Sequence, residues 1–408
     1  MQSPHQQPST GPLHGLRVLE LGHYVSAPFC TRLLADLGAE VIKVEAPTTG
    51  DPMRANGQQV KGRSLWWSSL NRNKKLMTLD LRQPAGQAVA LRLAAQCDVV
   101  VENFRAGQLE KWNLGWDAIQ KASPRTILVR ISGYGQSGPY SQRVAFAPIA
   151  EAAGGLTFVT GGADAQPPVR PNISLGDSIT GLNAMGMLMA AIYERDTGGT
   201  GKGRCIDIAM FESVFSMMDA AVTEYSVLGS IRKPSASTVV FAPSGSFRAA
   251  DGSWIFITAS GNAVYHRLAH AMGQPELATD PRFLENADRV ANRTALDASV
   301  SEWVGRHGGS EAEALLNRAS VPASKVFSMA DCVADPHFQH RGAFLPVEDP
   351  NAGPLLHPPI AAKFDAGGSQ PSVRWAGGAL GEATTEILGD ILSMSPQEIA
   401  ALAAAQVI

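Results

Sequence analysis

LRVLELGHYVSAPFCTRLLADLGAEVIKVE, residues 16–45, reads as strand, helix, strand. Two short apolar runs, LRVLEL (16–21) and EVIKVE (40–45), flank a helical pattern from about Phe29 to Leu37. Gly38 supplies the stop signal. A helix between two short apolar strands is the unit from which parallel sheets are built. The first turn, GHYVSAP, has no glycine fingerprint, which argues against a dinucleotide site there.

Outward from this unit the α/β rhythm continues. After the loop-rich residues 46–74, with Trp66 and Trp67 inside, the basic cluster NRNKK (71–75) leads into a strand LMTLDL (76–81). A helix over 84–96 precedes an apolar strand, 98–101. The segment ENFRAG (102–107) lies just past the end of that strand, where open α/β sheets bind ligands. After the strand 126–131, GYGQSG (133–138) spells GxGxxG, yet Pro139 and Tyr140 follow and no helical pattern begins. GGTGKG (198–203) has Asp196 and Gly203 where a P-loop needs Gly and Ser or Thr. It is read as a turn into the strand 204–208, with a helix over 211–228 beyond.

The texture then changes to Gly, Ser and Pro. The organisation expected is a disordered tail (1–14), a large α/β domain (15–228) and a linker (229–246). A small α+β domain (247–345), a return linker (346–378) and a C-terminal segment rejoining the large domain (379–408) follow. The small domain opens on a hairpin, 246–248 and 254–258 about Asp251-Gly252, followed by helices near 263–272 and 289–306. Ser395-Pro-Gln-Glu398 has capping-box spacing.

With 408 residues, 45% hydrophobic and a net charge of −3, the chain has ordinary globular composition. No charge imbalance points to nucleic acid or a membrane surface. The first ten residues have no apolar core of a signal peptide, and the run 184–192 is expected to be too short to span a bilayer. Cys30, Cys97, Cys205 and Cys332 form no CxxC pair and no metal spacing, so reduced thiols in a cytoplasmic setting are expected.

The chemistry points to SLGDSITGLNAMGMLMAAIYER, residues 174–195. Ile179, Leu182, Met185, Met189 and Ile192 recur at helical spacing, so Asp177 stands at the start of a helix. Two roles are open. Asp is a common N-cap, accepting a hydrogen bond from an early backbone N–H. Capping is the usual role; the second reading is a nucleophile toward an activated acyl group, with Gly176 allowing close approach.

Taken in order, GLRVLELG, LLADLGAEVIKVEAP, NRNKK with TLDL, ENFRAG, GYGQSGPY, LGD, GGTGKG, DPRFLENADRVANR, ADPHFQHRG and LGEATTEIL resemble the family III CoA-transferases. That group includes formyl-CoA transferase and the CaiB-type carnitine CoA-transferases. The resemblance runs from about Gly15 to the C-terminus. It implies a doubly wound α/β large domain with a mostly parallel sheet, a smaller α+β domain, and two interlocked chains in a homodimer. It makes Asp177 the nucleophile, passing through an aspartyl anhydride and an aspartyl-CoA thioester. It places Asn103, Phe104, Leu79, Arg82 and Lys111 along the CoA path, and the loop 23–27, with Val25 and Ser26, at the acyl end. Coenzyme A and its thioesters would be substrates; no metal and no permanently bound cofactor are expected. The partners implied are an acyl-CoA and a small carboxylic acid, without nucleic acid or membrane.

Departures from formyl-CoA transferase are Val25 for Gln, Ala147 for Glu, Ala46 for Arg, Ala383 for His, and a glycine lid reduced to APSGS (242–246). They turn the expectation from formate or oxalate toward dicarboxylates or hydroxy-dicarboxylates, with succinyl-CoA as donor. Arg170 is a candidate grip for a second carboxylate. An acyl-CoA racemase of the same superfamily is the alternative, although RVAFAPIAEAAGG (143–155) lacks that group's His-Asp pair. A nicotinamide-dependent dehydrogenase, resting on GYGQSG, is more remote.

Overall fold

A computed structural model describes residues 11–161, 167–235, 240–365 and 368–408. Strand β1 (Arg17–Glu20) leads to α1 (Ser26–Asp36) and β2 (Glu40–Glu45). Next come α2 (Leu65–Leu70), β3 (Lys74–Thr78), α3 (Pro84–Ala95) and β4 (Val99–Glu102). Helix α4 (Trp116–Ala122), β5 (Ile127–Ser132), α5 (Ala147–Ala153), α6 (Leu175–Thr197), β6 (Cys205–Ala209) and α7 (Met210–Phe215) follow. The six strands form one all-parallel sheet in the order β3-β2-β1-β4-β5-β6. Val18 pairs with Val41 on one side and Val99 on the other, so the strand order reverses between β1 and β4. A crevice opens beyond the carboxyl ends of strands at such a point.

Side chains alternate along a strand, and both faces are apolar. Leu19, Ile42, Val100 and Leu128 pack with α3 and the C-terminal helices Thr384–Asp390 and Pro396–Ala404. Val18, Val41, Val99, Val101 and Val129 pack on α1 and α6 instead. Within α6, Gly176, Thr180, Ala184, Leu188, Ala191 and Arg195 are buried at helical spacing. Gly181 lets α6 approach α1, because a Cβ there would lie 2.9 Å from Phe29 Cδ1 and 3.1 Å from the Ser26 carbonyl.

Several expectations are corrected. Helix α1 starts at Ser26, ahead of Phe29, since Pro28 falls in the first turn, where a missing N–H costs nothing. Strand β3 begins at Lys74 rather than 76, because the basic cluster is itself buried and paired. The helix expected over 211–228 breaks into α7 and Ala221–Leu228, with Asp219 between them at a left-handed φ of 48°. That over 289–306 breaks at Asn292. Helix α6 has 23 residues and is long and apolar enough to cross a membrane by length and composition, unlike the short run expected there. Of the tail 1–14, residues 11–14 form a turn tied by Leu13 N–H to the Leu37 carbonyl (2.8 Å); the first ten lie outside the described residues. The stretch 346–378 carries most of a hairpin, Leu345–Asp349 with Gly353–His357. The capping box at Ser395 and Glu398 is present.

The chain divides into two compact units: residues 1–156, 171–223 and 340–408 in one, 157–170 and 224–339 in the other. The second holds a three-stranded antiparallel sheet, Ala323–Lys325, Trp254–Thr258, Ser244–Arg248, over Tyr265, Leu268, Val300 and Leu316.

Candidate active site

The crevice between β1 and β4 is shaped by one side chain. Asn103, just past β4, accepts at Oδ1 from His23 N–H (2.9 Å). Its Nδ2 donates to the His23 carbonyl (2.8 Å) and to Ser26 Oγ (3.1 Å). Gly22 makes room for this clamp, since a Cβ would lie 2.8 Å from Asn103 Oδ1. The clamp fixes the loop that joins β1 to α1.

Beneath the loop lies a buried ionic cluster. Glu20 receives Lys43 Nζ at Oε1 (2.7 Å) and Lys74 Nζ at Oε2 (2.8 Å). Lys43 also reaches Asp51 Oδ2 (2.9 Å), and Asp51 Oδ1 accepts from Tyr24 N–H (3.2 Å). Burial alone would raise the Glu20 carboxyl, but the two lysines override it and hold it at about 2. Burial pulls Lys74 down to about 8, with Glu20 opposing and Lys43 adding to the pull. Lys43 faces more negative charge, and Asp51, Glu20 and Glu45 raise it against burial. At the end of β4, burial pushes Glu102 up to about 7 against Arg130, whose Nε lies 2.8 Å away. Glu102 Oε2 takes the Phe104 N–H (2.7 Å), so the turn after β4 is held from below.

Two clefts open on this loop. One, of about 340 Å³, is lined by His23, Ser26, Asn103, Phe104, Arg143 and Asp177 among others. The second, of about 290 Å³, is walled by Leu79, Asp80 and Arg82. His23, Phe104 and Trp112 line both, so the clefts adjoin. The Phe104 ring stands 5.3 Å from His23 and 4.9 Å, edge-on, from Trp112.

Asp177 is the third residue of α6, and the N-cap position belongs to Ser174. The Gly176 N–H is taken by Oε1 of the buried Glu151 (2.9 Å). The capping position read as open for Asp177 is thus filled elsewhere, and its half-buried carboxylate lines the cleft from the first turn. The positive end of the helix stabilises negative charge there.

The other sequence candidates divide. Ser26, Asn103 and Phe104 share the cleft with Asp177, while Leu79 and Arg82 wall the adjoining one. Arg82 is 75% exposed and fixed by a two-point grip on Asp80 (2.8 and 3.0 Å). Val25 is buried against Met53, Trp67, Leu70 and Leu76, and lines a different cleft, beside α1. Lys111 is exposed on the helical turn Gln108–Lys111 and lines neither cleft. Arg170 is exposed and falls in the second compact unit. The sequence reading missed Glu151, Arg143 and Trp112; no local motif marks them. GYGQSG is followed by no helix before Ala147, so it offers no helix end to a nucleotide phosphate. Among the described residues no group of three or more His, Cys, Asp or Glu is placed to hold a metal.

Comparison with known proteins shows the family. The sequence model of CoA-transferase family III matches residues 13–384. A succinyl-CoA–D-citramalate CoA-transferase of Chloroflexus aurantiacus is 41% identical over 97% of this chain and 98% of its own length. The alpha subunit of a succinyl-CoA–L-malate CoA-transferase from Chloroflexus aurantiacus is 36% identical over 99% and 95%. The crystal structure of a CAIB/BAIF family protein from Brucella suis superposes with a TM-score of 0.82 at 30% identity, covering 93% of this chain and 99% of that one.

Proposed function

Because the chain belongs to CoA-transferase family III, we propose that it moves CoA from succinyl-CoA to a hydroxy-dicarboxylic acid, with Asp177 as the covalent nucleophile. The observation that carries this reading is the position of Asp177: on the first turn of α6, in the cleft shared with the clamped loop and adjoining the cleft of Leu79 and Arg82. The two Chloroflexus relatives, whose names pair succinyl-CoA with a hydroxy-dicarboxylate, support the choice of donor and acceptor.

In this mechanism the Asp177 carboxylate attacks the thioester carbonyl and expels CoA thiolate, leaving a mixed anhydride. The thiolate attacks the Asp177 carbonyl and releases succinate, giving an aspartyl-CoA thioester. The acceptor carboxylate then attacks that thioester carbonyl, expelling CoA thiolate and forming a second mixed anhydride; the thiolate attacks the acceptor's carbonyl carbon, giving the new CoA thioester and releasing the Asp177 carboxylate. One thioester is exchanged for another, so no step needs an external oxidant or energy source. Leu79 and Phe104 would face the adenine and pantetheine, Arg82 a phosphate, and Asn103 and Ser26 the acyl end through the loop they hold. Lys111, Val25 and Arg170 line neither of these two clefts and are given no part in the steps above. A homodimer with interlocked chains, the large and small domains with their two linkers, and a cytoplasmic location complete the reading; four free thiols support a reducing compartment.

The test is intact-protein mass after incubation with succinyl-CoA, followed by peptide mapping. A CoA-sized adduct on the Asp177 peptide, discharged by malate or citramalate, is the expected result. Asp177→Ala should lose the adduct and at least about 1000-fold in kcat, as removal of a nucleophile does. Turnover within tenfold of wild type would overturn the covalent mechanism.

A further inference from the structure

We propose that a third cleft, beside α1, holds the free carboxylate of the dicarboxylic substrate on Arg32; this rests on the CoA-transferase reading above. The cleft measures about 320 Å³ and is lined by Phe29, Arg32, Trp66, Asn172, Ser174 and Ser178 among others.

Arg32 is the unusual member. The half-buried Arg32 contrasts with three buried neighbours that hold carboxylates: Arg72 holds Asp36 (2.6 Å), Lys74 holds Glu20 (2.8 Å) and Arg130 holds Glu102 (2.8 Å). Arg32 stacks on the Phe29 ring at 4.3 Å, and its Nε is buried with no hydrogen-bond partner among the described residues. Asp36, one helical turn further along α1, is already occupied by Arg72 and by Asn73 Nδ2 (2.8 Å). A buried donor left open is costly unless something else fills it. Burial and Arg72 draw the guanidinium down to about 10, which leaves it cationic at neutral pH.

None of the described residues that line the cleft is a carboxylate, and Asp36, which favours the charged guanidinium, is itself engaged by Arg72. Ser69, Asn172 and Ser178 supply further polar groups, while Trp66, Phe29 and Val25 give an apolar wall for methylenes. An isolated guanidinium with a fixed fork suits a carboxylate. The position also fits the chemistry. Asp177 lines the CoA cleft, while Ser174 and Ser178, on the same turn of α6, line this one. Ser26 and Val25 divide between the two clefts in the same way. An acyl group bound at Asp177 thus has a second, cationic chamber beside its attachment point. The structure assigns to Arg32 the role the sequence offered to Arg170.

The experiment compares wild type, Arg32→Gln and Arg32→Lys, each checked for an unchanged melting profile. Titration calorimetry with succinate and with butyrate measures recognition of the second carboxylate directly. Wild type should prefer succinate by about tenfold or more, Arg32→Gln should lose that preference, and Arg32→Lys should keep part of it. Adduct formation from succinyl-CoA should slow by a similar factor in Arg32→Gln, with butyryl-CoA unaffected. A succinate preference retained in Arg32→Gln, or absent from wild type, overturns the proposal. If wild type prefers succinate through Arg32 yet forms no adduct with either thioester, the transferase reading falls and the carboxylate site stands.

Discussion

Asn103 shows how one side chain can decide the form of a site without reacting. Its three hydrogen bonds, two to the His23 backbone and one to Ser26 Oγ, span 80 residues of sequence to tie the end of β4 to the loop after β1. A resemblance placed it near CoA, but the bonds show its amide engaged with protein. Asn103→Ala should therefore act through the loop: neutral hydrogen bonds are each worth about 1 kcal/mol. Steady-state kinetics should show KM for the acyl-CoA rising about tenfold, with a smaller effect on kcat. An equal fall in kcat with unchanged KM would instead put Asn103 on the reacting group. Asp177 was legible as a carboxylate at a helix start, yet its role was not. The cap lies three residues before Asp177, and only the structure shows Ser174 there and Glu151 bonded to Gly176.

At the scale of elements, the alternation of β1, α1 and β2 was readable because period-two and period-3.6 patterns differ sharply in that stretch. The basic cluster at 71–75 was not, because a run of polar residues looks solvated until its partners are known. Arg72, Asn73 and Lys74 are buried, and the carboxylates that compensate them, Asp36 and Glu20, belong to α1 and β1. Glu20 thereby joins three strands, receiving Lys43 from β2 and Lys74 from β3. Replacing it by Gln takes from buried Lys74 the carboxylate that pairs it and leaves Lys43 with Asp51, a loss of about 3–5 kcal/mol in unfolding free energy. The pH dependence has a definite sign. The folded carboxyl titrates at about 2 against 4.5 when unperturbed. Its stabilisation is complete above about pH 4.5 and is lost as pH falls toward 2, by about 3 kcal/mol. Urea denaturation across pH 2–7 should give a steeper acid loss in wild type than in Glu20→Gln. Parallel curves would show that Glu20 carries no such linkage.

For the whole molecule, the ordered motifs over almost the full chain made the family legible, whereas its assembly cannot be read from strand and helix patterns. The first compact unit is built from three separate chain segments, and the second from two, so the chain passes between them more than once. On α6, Leu182, Met187 and Tyr193 are exposed at 56%, 48% and 72%, beside the buried face that packs on the sheet. Large apolar side chains in that number along one helix favour a covering partner, which the homodimer proposed above would supply. Light scattering should then report twice 43.1 kDa, about 86 kDa, at micromolar concentration; a mass near 43.1 kDa would remove the dimer. Interlocking makes a stronger demand than dimerisation. Rings cannot separate while both stay closed, so subunit exchange requires opening of the fold. Mixed tagged and untagged dimers should remain parental in native buffer and scramble only after unfolding and refolding. Heterodimers forming within minutes at neutral pH, with no loss of native signal, would keep the dimer and eliminate the interlocked topology.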